Sequence, residues 1–299
     1  MSGIRPACAH RMRGKLMVAV LAILVSGCGP PTGGADSNGN HAVSPSSAPS
    51  AQTGSQIPKG IARFGGTDFA AMASAGFSFT TDGNDQGVLS SMGSNGLSGL
   101  VWLGAWNNAG CSWEYSNARV VDIVNSVKQN PRVLAYQVGD EPDPKACPHA
   151  PDAYAARTAL VHQWDPTGLT LTILEQFNER SSLPISKAAT PFKGAVDILA
   201  FDVYPCFQGQ RSCDFAMINR AVSAIKSMNL PRWWAVIQDF QDGQWRWPTR
   251  SELDQQFKSW AGSGMGGYLV FAWDYKGSRI TTEPGHVAQL SSNNSSIRA

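Results

Sequence analysis

From residue 57 onward, short apolar runs alternate with longer amphipathic stretches at a repeating interval. The runs are 61-IARFGG-66, 77-FSFTT-81, 99-GLVWLGAW-106, 133-VLAYQV-138, 169-LTLTILEQF-177, 197-DILAFDVY-204, 232-RWWAVIQDF-240 and 267-GYLVFAWDY-275. Continuous apolar runs of this length, lacking strict alternation, read as strands of a parallel sheet buried on both faces. Helix-like segments lie between them, over 68–75, 86–95, 115–128, 151–163, 181–193, 214–228 and 250–262. Thr67 before Asp68, and Thr249 with Glu252 three residues later, supply the capping chemistry that such starts need. Eight strand–helix alternations over residues 57–291 have the rhythm of a single α/β domain, a (β/α)8 TIM barrel, with 292–299 left as a disordered tail. An open doubly wound sheet is the alternative, but no GxGxxG follows a strand, and 64-FGGTDF-69 does not supply one.

The N-terminus has a different texture. Arg5, Arg11, Arg13 and Lys15 precede an apolar run from Leu16 to Val25, too short to cross a bilayer and suited to the core of a signal peptide. The run ends 24-LVSGC-28, which resembles the lipobox of bacterial lipoproteins. That resemblance implies removal of residues 1–27, lipidation of Cys28, and an exported protein held on the bacterial cell membrane. Residues 28–56 are Gly, Pro, Ser, Ala, Asn and Thr with almost no large apolar side chain, and read as a disordered tether. Loss of 1–27 changes the charge: the formal +2 of the whole chain becomes −2, with 20 bases against 22 acids. No basic patch remains to attract nucleic acid, and a neutral ligand such as a sugar fits better.

Removing Cys8 with the signal and assigning Cys28 to the lipid leaves Cys111, Cys147, Cys206 and Cys213. Three pairings are possible in an oxidising compartment. The short spacing of Cys206 and Cys213 suggests a local staple, which leaves Cys111 with Cys147. Zinc is the rival reading, and no CxxC pair supports it.

In such barrels the chemistry collects where strands end. Here the strand ends carry Asp140 and Glu141 in 136-YQVGDEPDP-144, Glu175 and Gln176, Asp202 and Tyr204, Gln238 and Asp239, and Trp273, Asp274 and Tyr275. Helix capping could account for one or two of these acids. It fits poorly where proline and aromatics intervene, as in 202-DVYPC-206 and 273-WDYKG-277. Paired carboxyls with aromatic walls suit cleavage of a glycosidic bond, in which one acid protonates the leaving oxygen and a second carboxylate attacks or activates water. Trp102, Trp106, Trp113, Trp245, Trp247 and Trp273 fall at or after strand ends, whereas Trp233 and Trp234 lie inside a strand and are assigned to packing.

With strand four ending in Glu-Pro, the whole region resembles the clan-A type of (β/α)8-barrel glycoside hydrolases. The resemblance implies Glu141 as acid/base, Asp140 at the place of the usual asparagine, and Trp273 as the sugar platform. Two departures follow. Asp140, when ionised, only accepts hydrogen bonds where an amide would donate, and its charge raises the proton affinity of Glu141. Strand seven should offer a Glu and has 236-VIQDF-240 instead. Gln238 in the nucleophile position would forbid the retaining mechanism, whereas Asp239, one bond shorter, would leave room for a water and favour inversion. Alternation alone does not choose between them. The expected function is a lipid-anchored glycoside hydrolase acting on a polysaccharide or oligosaccharide. Glu141 and Asp239 would be the catalytic carboxylates, Asp202 or Glu175 substitute partners, and Asp140, Asp202, Tyr204, Gln238, Trp273 and Trp106 would bind substrate. The alternative is a barrel that binds glycans without cleaving them. No metal or other cofactor is expected: the five histidines are scattered without HxH or HExxH, and 262-GSGMG-266 is no nucleophile elbow.

Overall fold

A computed structural model describes residues 57–175 and 184–297. The expected signal peptide, Cys28 and the tether, together with Gln176, lie outside the described residues.

Eight parallel strands close on themselves: β1 (Lys59–Ile61), β2 (Phe79–Thr80), β3 (Ser98–Trp102), β4 (Val133–Asp140), β5 (Thr170–Leu174), β6 (Ile198–Asp202), β7 (Trp233–Gln238) and β8 (Tyr268–Phe271), with β8 pairing β1. The expected (β/α)8 barrel is the observed fold. Around it lie α1 (Phe69–Ser74), α2 (Gln86–Ser94), α3 (Asn117–Val127), α4 (Ala150–Trp164), α5 (Ile185–Ala189), α6 (Phe215–Ser227), α7 (Arg250–Trp260) and α8 (His286–Ser296). The capping box at Thr249 and Glu252 forms as expected, with each side chain bonding the other residue's backbone N–H.

Two apolar layers result from alternation along the strands. Phe79, Leu100, Ala135, Leu171, Ala200, Trp234, Val236 and Leu269 fill the barrel, while Val101, Tyr136, Phe201, Trp233, Ile237 and Val270 face the helices. Both strand-seven tryptophans are therefore packing residues, one on each side of the sheet.

Three departures from the sequence reading appear. Beyond β3 and β8 no neighbouring strand remains to pair with. The chain turns back on itself there, forming short antiparallel ribbons at 106–113 and 274–279 in place of longer strands. Between Pro184 and Phe192 only five residues are α-helical, and the chain tightens into a 3-10 turn at Thr190, next to Pro191. Residues 292–296 are not a tail, because α8 continues to Ser296. Its Asn294 is buried, accepts from the Tyr268 hydroxyl and from Lys59 Nζ, and donates to the Ala75 carbonyl, stitching β1, β8 and the end of α1 at the foot of the barrel.

Candidate active site

A cavity of about 580 Å³ opens at the carboxyl ends of the strands. Alternation decides who enters it. On β6, Ile198 and Ala200 face inward, so Asp202 does too; on β5, Leu171 and Ile173 bring Glu175 to the same side. On β4, Gln137 and Asp140 are three residues apart and would point to opposite faces of a regular strand, yet both line the cavity. A register shift between Gln137 and Gly139 makes the difference, and Gln137 donates to Asp140 Oδ1 at 3.3 Å. Gly139 is required here: a Cβ would come within 2.4 Å of the Tyr154 hydroxyl.

Glu141 follows with φ +42, in the left-handed region that a glutamate rarely occupies. Its neighbours hold it there. The Glu141 N–H donates to the Ile173 carbonyl at 2.9 Å, and its carbonyl accepts from Asn108 Nδ2 at 2.8 Å. Asn108 Oδ1 in turn accepts from the Asp143 N–H at 2.8 Å. The Cys111–Cys147 disulfide fastens the same two loops, and Cys206–Cys213 closes the second local loop, so both expected pairings are present. Strain kept at one residue by surrounding bonds is characteristic of functional positions.

The carboxyls here are crowded and short of counter-charge. Burial, reinforced by Glu141, pushes Asp140 up to about 8. Burial, then the nearby charge of Glu141, pushes Asp202 well above the usual carboxylate range. Neither Asp202 oxygen has a hydrogen-bond partner among the described residues. Glu175 is raised by burial and by Glu141, and Asp82, on the β2 side of the cavity, is raised chiefly by burial against the lowering influence of Arg63. Tyr204, buried beside them, is held neutral by burial and by Asp202.

The strand-seven residues do not join this group. Gln238 points inward but is fully buried. Its amide accepts from the Cys206 N–H at 2.9 Å and donates to the Cys206 and Arg246 carbonyls at 3.1 and 3.0 Å. Asp239 points outward to the helix layer and meets His286 Nδ1 at 2.7 Å, with neither side chain more than 6% exposed. Trp273 likewise faces outward, 2% exposed, with its indole N–H toward Asp68. Trp106 lines the cavity, stacked edge-on against Trp113 at 4.8 Å. The aromatic wall on the strand-eight side is Phe271, backed by Tyr275 and the half-exposed Phe64.

Of the expected residues, the structure therefore brings together Asp140, Glu141, Glu175, Asp202, Tyr204 and Trp106, and leaves Asp239, Gln238 and Trp273 outside. Arg63, Phe64, Asp82, Asn108, Gln137 and Phe271 were not singled out in the sequence. Phe271 was legible as the inward neighbour of Leu269 once the register is fixed, and Asp82 as the acid directly after strand two. Among the described residues, the group of three whose ligand atoms lie within 4.8 Å of one another is Cys206, Cys213 and Glu252, where the cysteines are joined to each other and Glu252 holds Arg246.

Comparison of the sequence with protein-family models and with curated proteins finds no match. Solved structures do match. A β-D-glucuronidase from Dictyoglomus thermophilum aligns with 82% of this chain and 51% of its own at 12% identity, TM-score 0.58. A β-glucuronidase from Ruminococcus gnavus aligns with 82% and 50% at 9% identity, TM-score 0.60. A β-galactosidase from the psychrophilic Marinomonas ef1 aligns with 80% and 59% at 8% identity, TM-score 0.57. The likeness is one of fold. The barrel resembles the barrels within those enzymes, and this chain matches only about half of their length.

Proposed function

We propose that the chain is a glycoside hydrolase in which Glu141 is the proton donor and Glu175, in place of Asp239, is the second carboxylate. The supporting observation is the placement of Glu141: a strained, bonded backbone at the strand-four rim, facing a walled cavity, with Asp202 buried against it. In this reading the Glu141 carboxyl protonates the glycosidic oxygen. Glu175, whose raised proton affinity makes it the stronger base once ionised, takes a proton from the attacking water. Asp202 positions the proton and Tyr204 closes the pocket floor. Trp106 and Phe271 supply apolar faces for sugar rings. The N-terminal segment is proposed to export the protein and hold it on the membrane through a lipid on Cys28. No described helix is long and apolar enough to cross a membrane.

A second reading, glycan binding without cleavage, draws on the commitment of Gln238 and Asp239 to structure. The two are separated by incubating the protein with envelope and plant polysaccharides. Sugar release by the wild type, lost in Glu141→Gln and Glu175→Gln but kept in Asp239→Asn, supports hydrolysis. Binding without release, unchanged in all three variants, supports recognition.

A further inference from the structure

Arg63 is the one cation among the described residues that line the cavity, and three of its five N–H donors are held by backbone carbonyls. Its Nε donates to the Thr81 carbonyl at 3.2 Å, Nη1 to the Gly66 carbonyl at 3.1 Å and Nη2 to the Asp82 carbonyl at 3.1 Å. The guanidinium lies over the Phe69 ring at 5.2 Å, and the residue is 6% exposed. It braces the loops after β1 and β2, and each guanidinium nitrogen is already bonded to a backbone carbonyl. Asp82 stands beside it and Asp140, Glu141 and Glu175 line the same cavity, with Asp202 at 1% exposure and no hydrogen-bond partner among the described residues for either oxygen.

Carboxyls crowded in this way lack balancing positive charge beyond that of Arg63 among the described residues lining the cavity. An ammonium entering the cavity would supply it, through charge-assisted hydrogen bonds stronger than those of a hydroxyl. A sugar bearing a carboxylate would meet like charge. We propose that the cavity selects a cationic glycan, one with a free amine on the sugar beside Glu141, and rejects uronic acids. This rests on the carbohydrate reading above and names the substrate class for that same cavity.

The test is calorimetric titration of the full chain with three probes: the β-1,4 tetramer of glucosamine, the β-1,4 tetramer of glucose, and the tetramer of galacturonic acid. The first two differ only in the amine. Expected is at least tenfold tighter binding of the glucosamine tetramer than of the glucose tetramer, and no binding of the galacturonate. The preference should shrink severalfold at 0.5 M salt and in Asp82→Asn. Asparagine tolerates the left-handed backbone of that position, φ +61, and keeps the carbonyl that Arg63 uses, so the variant tests charge alone. Equal binding of the glucose and glucosamine tetramers, or binding of the galacturonate, overturns the proposal and leaves the carbohydrate reading standing. Binding of none of the three overturns both.

Discussion

The two halves of the barrel rim treat buried charge in opposite ways. Between β7 and α8 the ionisable groups have partners. Asp239 faces His286. Arg246 grips both oxygens of Glu252 at 2.7 and 2.8 Å, and Glu252, although burial alone would raise it, is drawn down to about 2. Gln238 is used up on backbone. Between β4 and β6 the carboxyls of Asp140, Glu141, Glu175 and Asp202 face one another, and burial and mutual repulsion raise the proton affinity of Asp140, Glu175 and Asp202. The paired half serves the fold, whereas the unpaired half costs stability and holds protons ready to move. A like-charged cluster that could have been neutralised, as the other half of the same rim has been, is the arrangement expected of a working site.

The sharpest way to break this contrast is to remove one carboxylate from each half. Glu141→Gln should lower sugar release on the order of a hundredfold or more, while Asp239→Asn should change kcat by no more than a few fold. A reversed ranking in steady-state rates would move the site to strand seven. The stability ranking should run the other way. His286→Ala leaves Asp239 buried without its counter-charge and should cost about 3 kcal/mol in chemical denaturation, whereas Asp202→Asn, which relieves repulsion, should cost little or add stability.

The disulfides sharpen the comparison at smaller amplitude. Cys111 and Cys147 are 36 residues apart and Cys206 and Cys213 only 7. Loop-closure entropy gives about 4 kcal/mol for replacing the first pair by serine and about 2.5 for the second. The first pair also fastens the loop that follows Glu141, so its loss should lower the rate as well as the midpoint of unfolding. Equal effects of the two double variants on rate would remove that positioning role.

The barrel itself was legible because eight apolar runs at a regular interval leave few other topologies. The acidic rim was legible because strand ends can be located to within a residue or two. The division of that rim into two halves was hidden. Gln238 and Asp239 are adjacent on one strand, and which of them faces inward depends on Trp234 and Val236 filling the barrel, a fact of register and not of composition. Asp140 enters the cavity only because of an irregularity between Gln137 and Gly139 that alternation does not foretell. His286 looked isolated because its partner is 47 residues earlier in the chain. Trp273 matched its expected strand end and still faces the wrong way, since Ala272 and Phe271 occupy the inner side.

The smallest predicted effect is also the most direct reading of the unpaired half. Asp140 has its folded pKa raised from 3.8 to about 8, so between those pH values the folded protein holds a proton that the unfolded chain releases. Stability therefore falls as pH rises through that window. Asp239, raised to about 6 by burial, adds to the same slope. His286 does too: burial opposes its charge, the Asp239 carboxylate outweighs burial, and the resulting raised pKa gives stability that is lost as pH climbs past it. Asp140→Asn removes one contributor. Its Tm should match that of the wild type near pH 4 and exceed it by a few degrees at pH 8, equivalent to about 1 kcal/mol or more, while a weaker slope from Asp239 and His286 persists. If the variant is instead less stable than the wild type at pH 8, the bond from Gln137 outweighs the repulsion from Glu141, and the β4–β6 half of the rim is better compensated than its crowding implies.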